Sequence, residues 1–128
     1  MSTRKVLVID DEDAVREVVQ GCFEEVAGWQ VVTANSGQEG WEKVLTERPE
    51  AIVVDPMMSE MGEVPFLRVF STNSATRSIP IVLLTARVDL VDPAAFSLLD
   101  VRGAIAKPFD PFMLVRQVAE FLDWSIEV

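Results

Sequence analysis

Five side chains in this sequence of 128 residues could act together as a chemical site: Asp10, Asp11, Asp55, Thr85 and Lys107. All lie just beyond a short apolar run. Val-Leu-Val-Ile precedes the Asp10-Asp11 pair, Ala51-Ile-Val-Val precedes Asp55, Ile-Val-Leu-Leu precedes Thr85, and Gly103-Ala-Ile-Ala precedes Lys107. Singly, each has a plainer reading. Asp55 before Pro56 can be a turn residue bonding its own backbone, and the run Asp10-Asp11-Glu12-Asp13 can cap a helix and complement its dipole. Together they point elsewhere. Carboxylates that converge in a partly desolvated pocket repel one another, and a hard divalent cation resolves the repulsion. Mg²⁺ suits such oxygen ligands and keeps positions for water and a phosphate. A lysine ammonium and a threonine hydroxyl are the parts a transferring phosphoryl group needs. Asp55, heading the central strand, is then the nucleophile.

The elements that would position these groups follow from periodicity. Short apolar-rich runs at 4–10, 29–33, 51–54, 79–84 and 103–106, mostly β-branched in the central one, read as buried parallel strands. Pro80 stands near the start of the fourth, where a missing N–H is tolerated. Apolar positions 14, 15, 18, 19, 22, 23 and 26 predict an amphipathic helix of about four turns, with Gly21 inside it. Ser36-Gly-Gln-Glu39 is a capping box opening a second helix that turns Gly40, Trp41, Val44 and Leu45 inward and closes at Arg48-Pro49. Pro65 suits the first turn of a short third helix carrying Val64, Leu67 and Phe70. A polar linker follows over 71–78. Asp92-Pro93 and Asp110-Pro111 repeat one helix-start signal. The first opens a helix to about Leu99, leaving 87–91 as loop, and the second a helix with Phe112, Val115, Val118 and Leu122 inward. Five alternations of strand and helix make an α/β domain, a doubly wound parallel sheet with helices on both faces. In such a sheet all strands end at one edge, where ligands bind.

Composition narrows the function. With 49% hydrophobic and 25% charged residues the chain is one globular domain, residues 1–128 with a core of about 4–124. No apolar run approaches the ~20 residues of a membrane helix, and Met-Ser-Thr-Arg-Lys lacks a secretory signal's apolar segment. The single cysteine, Cys22, excludes an internal disulfide and fits a reducing cytoplasm; its place on an apolar helix face makes it a core residue. The absence of histidine removes His-based catalysis and any phosphohistidine within this chain. A net charge of −10 argues against a grip on nucleic acid.

The motifs Val-Leu-Val-Ile-Asp10-Asp11-Glu, Val-Val-Asp55-Pro-Met-Met, Ile-Val-Leu-Leu-Thr85-Ala86 and Ala106-Lys107-Pro108-Phe109 come in order, each at a strand end. Through them the chain resembles the bacterial response regulator receiver domain, the CheY-like family, over nearly all of 4–124. The resemblance implies a flavodoxin-like sheet of order 2-1-3-4-5. It implies that Asp55 accepts a phosphoryl group from a sensor histidine kinase or phosphotransfer protein. Asp11, Asp55 and the Met57 carbonyl would ligate Mg²⁺, with Asp10 acting through water. Lys107 would pair with the phosphoryl oxygens, and Thr85 would bond to them and start the conformational switch. The Lys107–Pro108 peptide would be cis. Such a receiver is a switch that works by binding partners, not a turnover enzyme, and is a monomer or a weak phosphorylation-dependent dimer.

There are departures from the family pattern. Ser59 replaces its usual proline, Gly62-Glu63 its Asp/Asn-Gly, and Ala104 the aromatic three residues before the lysine. They leave the acceptor chemistry untouched and put the usual output switch in doubt. The alternatives to a phosphorylated switch are a pseudo-receiver that only docks, which would be expected to have lost site residues, and a Mg²⁺-dependent aspartyl-phosphate phosphohydrolase. The latter needs a second acid two residues after its nucleophile, where this chain has Met57. After the last helix comes Asp123-Trp-Ser-Ile-Glu-Val128, whose Trp124, Ile126 and Val128 are read as core contacts. A stand-alone receiver and one joined to a C-terminal output domain both remain open.

Overall fold

The apolar runs find one another as a sheet. In the computed structural model, which describes residues 4–57, 72–74, 76–90 and 99–126, β1 (Lys5–Ile9), β2 (Gln30–Ala34), β3 (Ala51–Val54), β4 (Ile81–Thr85) and β5 (Val101–Ala106) form one sheet. Its order is β2-β1-β3-β4-β5, and every pair is parallel. Fully buried strands in such a sheet carry apolar residues on both faces. Val6, Val8, Val53, Val82, Leu84 and Ile105 pack in one layer with Val19, Phe23 and the last helix. Leu7, Ile9, Ile52, Val54, Ile81 and Leu83 pack in the other with Val44. The doubly wound reading holds.

Helix α1 (Asp13–Cys22) and the last described helix, α3 (Pro111–Leu122), share the first layer, and α2 (Gly37–Glu47) covers the second. Local signals set the ends of two of them. Ser36 Oγ accepts the Glu39 N–H at 3.1 Å, while Glu39 Oε1 accepts from the Asn35 N–H at 2.6 Å, one residue earlier than a standard capping box. Asp110 Oδ1 accepts the Phe112 N–H at 2.9 Å with Pro111 in the first turn. Two glycines allow close packing: a Cβ on Gly40 would strike Ile9, and one on Gly103 would overlap the Phe121 ring.

Several expectations are corrected. The first helix is not uniform: α1 gives way to a π-helical turn over Phe23–Ala27, ending at Gly28 with φ 70°. The first strand is shorter than 4–10 and the second lies one residue later than 29–33. The fourth starts at Ile81, because Pro80 cannot donate to the ladder. The fifth begins at Val101 and accommodates Arg102 as a bulge, since Ile81 faces Val101 and Val82 faces Gly103. A 3₁₀ turn, Val88–Leu90, stands where loop was expected. Thr76, expected in a polar linker, is buried and donates its hydroxyl to the Asn73 carbonyl at 3.1 Å. Of the side chains expected inside, Phe112 is 92% exposed and Val26, Leu45 and Val18 are also exposed. These four flank the buried stripes instead of lying in them. Trp124 does join the core, edge-on to Trp29 at 5.2 Å and under the Arg4 guanidinium at 4.7 Å. Ile126 packs there too, as does Cys22, whose thiol is pushed up by burial and then by Glu25. The expected third helix around Val64, Pro65, Leu67 and Phe70, Ser59 and Gly62-Glu63, the helix opened by Asp92-Pro93, and Val128 lie outside the described residues. Among those described, no helix is long and apolar enough to cross a membrane.

Candidate functional site

Three backbone bonds extend the ladders just past the strand ends and so aim the candidate side chains. The Asp10 N–H bonds the Ala34 carbonyl at 3.1 Å, the Asp55 N–H the Ile9 carbonyl at 3.0 Å, and the Lys107 N–H the Thr85 carbonyl at 2.9 Å. Arg16 Nη1 donates to the Asp10 carbonyl at 2.7 Å while its Nη2 pairs with Asp13, tying the start of α1 to the strand end. The Lys107–Pro108 peptide is cis.

The side chains meet around one ammonium. Lys107 Nζ lies 2.7 Å from Asp10 Oδ2, 2.9 Å from Asp55 Oδ2 and 3.5 Å from Glu12 Oε1. The remaining oxygens are held by backbone: Asp10 Oδ1 accepts the Glu12 N–H at 2.9 Å, and Asp55 Oδ1 the Met57 N–H at 2.8 Å. Asp10, Asp55 and Thr85 are buried. Burial drives the Asp10 carboxyl above its ordinary value; Lys107 and the Glu12 N–H pull it back, and the Asp55 charge adds to the rise. Burial alone would lower the Lys107 ammonium, but the bonds and charges of Asp10 and Asp55 together outweigh it and raise it. Both partners of the Asp10–Lys107 pair therefore move upward. The carboxyl is the more deeply buried of the two, which is why attraction to the lysine does not bring it down.

The donor set fits a hard cation. One oxygen from each of Asp10, Asp11, Glu12 and Asp55 lies within 4.8 Å of the others. Asp10 Oδ2 is buried without a properly directed hydrogen bond, so the approach of Lys107 satisfies its charge but not its directionality. Carboxylate oxygens at this density suit Mg²⁺.

The structure thus brings Asp10, Asp11, Asp55 and Lys107 together. Thr85 ends β4 at the same edge, its Oγ1 accepting the Arg87 N–H at 3.2 Å and leaving the hydroxyl hydrogen to donate. Met57 meets the site through its N–H on Asp55. Glu12 is the member that motif reading passed over. In a run of four acids, the start of the helix decides which ones turn toward the site. Asp13 is the first helical residue and its carboxylate, paired with Arg16, lies in solvent, whereas Glu12 is the extended N-cap beside Lys107. Beyond Lys107 and Glu12 the surface continues as a groove of about 500 Å³ floored by Ala14, Val15, Val18, Pro108 and Phe109.

Residues 6–119 match the family model described as the response regulator receiver domain. The chain belongs to that family. Receiver domains are switch domains of two-component systems, and the neighbours agree. The chain is 31% identical over 108 residues to the alkaline phosphatase synthesis transcriptional regulatory protein PhoP of Bacillus subtilis, covering 84% of this chain and 44% of that protein. It is 33% identical over 116 residues to the phosphate regulon transcriptional regulatory protein PhoB of Escherichia coli, covering 90% and 50%. The chain therefore spans about half the length of these curated relatives. Among solved structures, the chemotaxis response regulator CheY4 of Vibrio cholerae superposes with a TM-score of 0.79 at 27% identity, covering 94% of this receiver and 99% of that chain.

Proposed function

We propose that this receiver is a phosphorylation-dependent switch whose acceptor is Asp55 and whose donor is a phosphohistidine on a sensor kinase or phosphotransfer protein. The observation that carries the reading is the contact of Lys107 Nζ with Asp55 Oδ2 at 2.9 Å, beside the gathered carboxylates. An Asp55 carboxylate oxygen attacks phosphorus; the phosphorus–nitrogen bond breaks and the histidine nitrogen leaves with its electron pair. Met57, through its N–H on Oδ1, orients the carboxylate for attack. Lys107 neutralises charge gathering on the transferring oxygens, and the Thr85 hydroxyl donates to one of them. Asp10, Asp11 and Asp55, with the Met57 carbonyl, would hold Mg²⁺, which screens carboxylate from phosphoryl group during transfer. The apolar groove opening beside Lys107 offers the donor protein a surface next to the acceptor.

The domain would occupy residues 1–128 and work in the cytoplasm, and its output would be a change in binding to a downstream protein or to a C-terminal output domain. Ala104 has no side-chain torsion with which to report phosphorylation, so the signal would leave through the segment Thr85 pulls on, beginning at Ala86. Intact-mass spectrometry tests the acceptor. Acetyl phosphate with Mg²⁺ should add one phosphoryl group to the wild type and none to Asp55→Asn. Equal labelling of both would remove Asp55 from the role, and an unlabelled wild type would favour a module that only docks.

A further inference from the structure

Lys107 occupies oxygens that a cation at this site would need. Its ammonium lies 2.7 Å from Asp10 Oδ2 and 2.9 Å from Asp55 Oδ2. Mg²⁺ binds oxygen at ~2.0–2.1 Å, and a dication so placed repels an ammonium held on the same atoms. Cation binding is therefore an exchange in which Lys107 must give up at least one carboxylate. The lysine side chain is only 9% exposed. A charge in such surroundings cannot simply be released; it needs another partner or a costly loss of its counter-charge.

The third carboxylate in contact with Lys107 is Glu12, 3.5 Å away and 60% exposed. It differs from Asp10 and Asp55 in lying at the mouth, where it borders the groove together with Lys107. Its backbone is fixed from the site side, because the Glu12 N–H donates to Asp10 Oδ1. Its exposed carboxylate therefore hangs from an anchored N-cap beside the ammonium.

We propose that Glu12 is the second seat of Lys107. It is a positioning residue that receives the ammonium when a divalent cation takes oxygens that Lys107 holds, that of Asp55 above all. By giving the displaced charge a partner, Glu12 lowers the cost of the exchange and raises the cation affinity of the site, without itself needing to be a ligand. The proposal rests on the Mg²⁺ reading of the site, and its test separates the two.

The test is calorimetric titration of MgCl₂ into the whole chain, with amide spectra confirming that each variant is folded. The wild type should bind saturably and Asp11→Ala should not. Glu12→Gln should bind roughly two- to fivefold more weakly, the worth of a partly exposed ion pair. In a Lys107→Met background, Glu12→Gln should leave the affinity unchanged, because no ammonium then needs a seat. The Lys107 Nζ resonance should shift on Mg²⁺ addition in the wild type and shift differently in Glu12→Gln. Wild-type affinity in Glu12→Gln would overturn the proposal. So would a loss that persists in full without Lys107, which would make Glu12 a ligand or a distant charge. Absence of saturable binding to the wild type would remove the Mg²⁺ reading and this proposal with it.

Discussion

Lys107 and Asp55, 52 residues apart in the chain, stand with Nζ and Oδ2 at 2.9 Å. The contact exists because β3 and β5 both flank β4 and run parallel to it, so their carboxyl ends open on the same edge. The same ammonium also touches Asp10 and Glu12, so a single positive charge holds together three carboxylates from two different strand ends. That arrangement makes the lysine a structural counter-ion, in addition to the chemical role proposed for it.

Removing that counter-ion should show both roles. Lys107→Met leaves Asp10 and Asp55 as buried carboxylates without their cation, and in EDTA it should cost about 3 kcal/mol of stability. Added Mg²⁺ should restore much of the loss by binding the folded form. Labelling by a small phosphodonor should fall sharply even with Mg²⁺ present. Urea denaturation with and without the metal, run beside the labelling assay, reads all three.

Asp10 should reveal itself through pH. Its carboxyl is raised above the ordinary 3.8, burial first among the causes, and that net rise already includes the attraction of Lys107. An acid that binds its proton more tightly when folded makes the fold less stable once ionised. The penalty is full above the folded-state value, shrinks as pH falls through it, and is gone below 3.8. In EDTA, Asp10→Asn should therefore melt higher than wild type at neutral pH, with the difference closing in acid. Lys107 does not titrate in this window, since it is raised from 10.5. A gain of equal size at both pH values would trace it to shape instead of charge.

Gly103 should not tolerate a methyl group. The Phe121 ring occupies the space a Cβ would enter, so Gly103→Ala should cost about 1–3 kcal/mol through overpacking. In a Phe121→Ala background the same change should cost much less. A double-mutant cycle by denaturation measures the coupling.

The last helix supplies a contrast between neighbours. Leu114 is wholly buried and Phe112 is 92% exposed. Leu114→Ala should cost about 2–5 kcal/mol, whereas Phe112→Ala should stay within about 0.5 kcal/mol. Equal losses would mean that Phe112 is covered in solution.

The sheet and the gathering of the candidate residues at one of its edges were legible because each rests on a short-range signal; the strand order came through the family resemblance alone. An apolar run closed by Pro56 or Pro108 is a strand and its end, and a parallel sheet necessarily carries all such ends to one edge. Asp10, Asp11, Asp55, Thr85 and Lys107 could be placed at that edge without knowing any contact. Ser36 and Asp110 likewise announce their helices through bonds to residues two or three positions away. Tertiary structure alone decided the rest. Val18, Val26, Leu45 and Phe112 fit an apolar stripe as well as their buried neighbours do, but how wide a stripe is covered depends on the element packed against it. Glu12 and Asp13 are equivalent acids in the chain; only the turn at the N-cap of α1 sends one toward Lys107 and the other to solvent. The sharing of Lys107 among three carboxylates depends on distances of a few ångströms across two strand ends. Periodicity along one chain carries no measure of those distances, and electrostatic energy varies steeply with them.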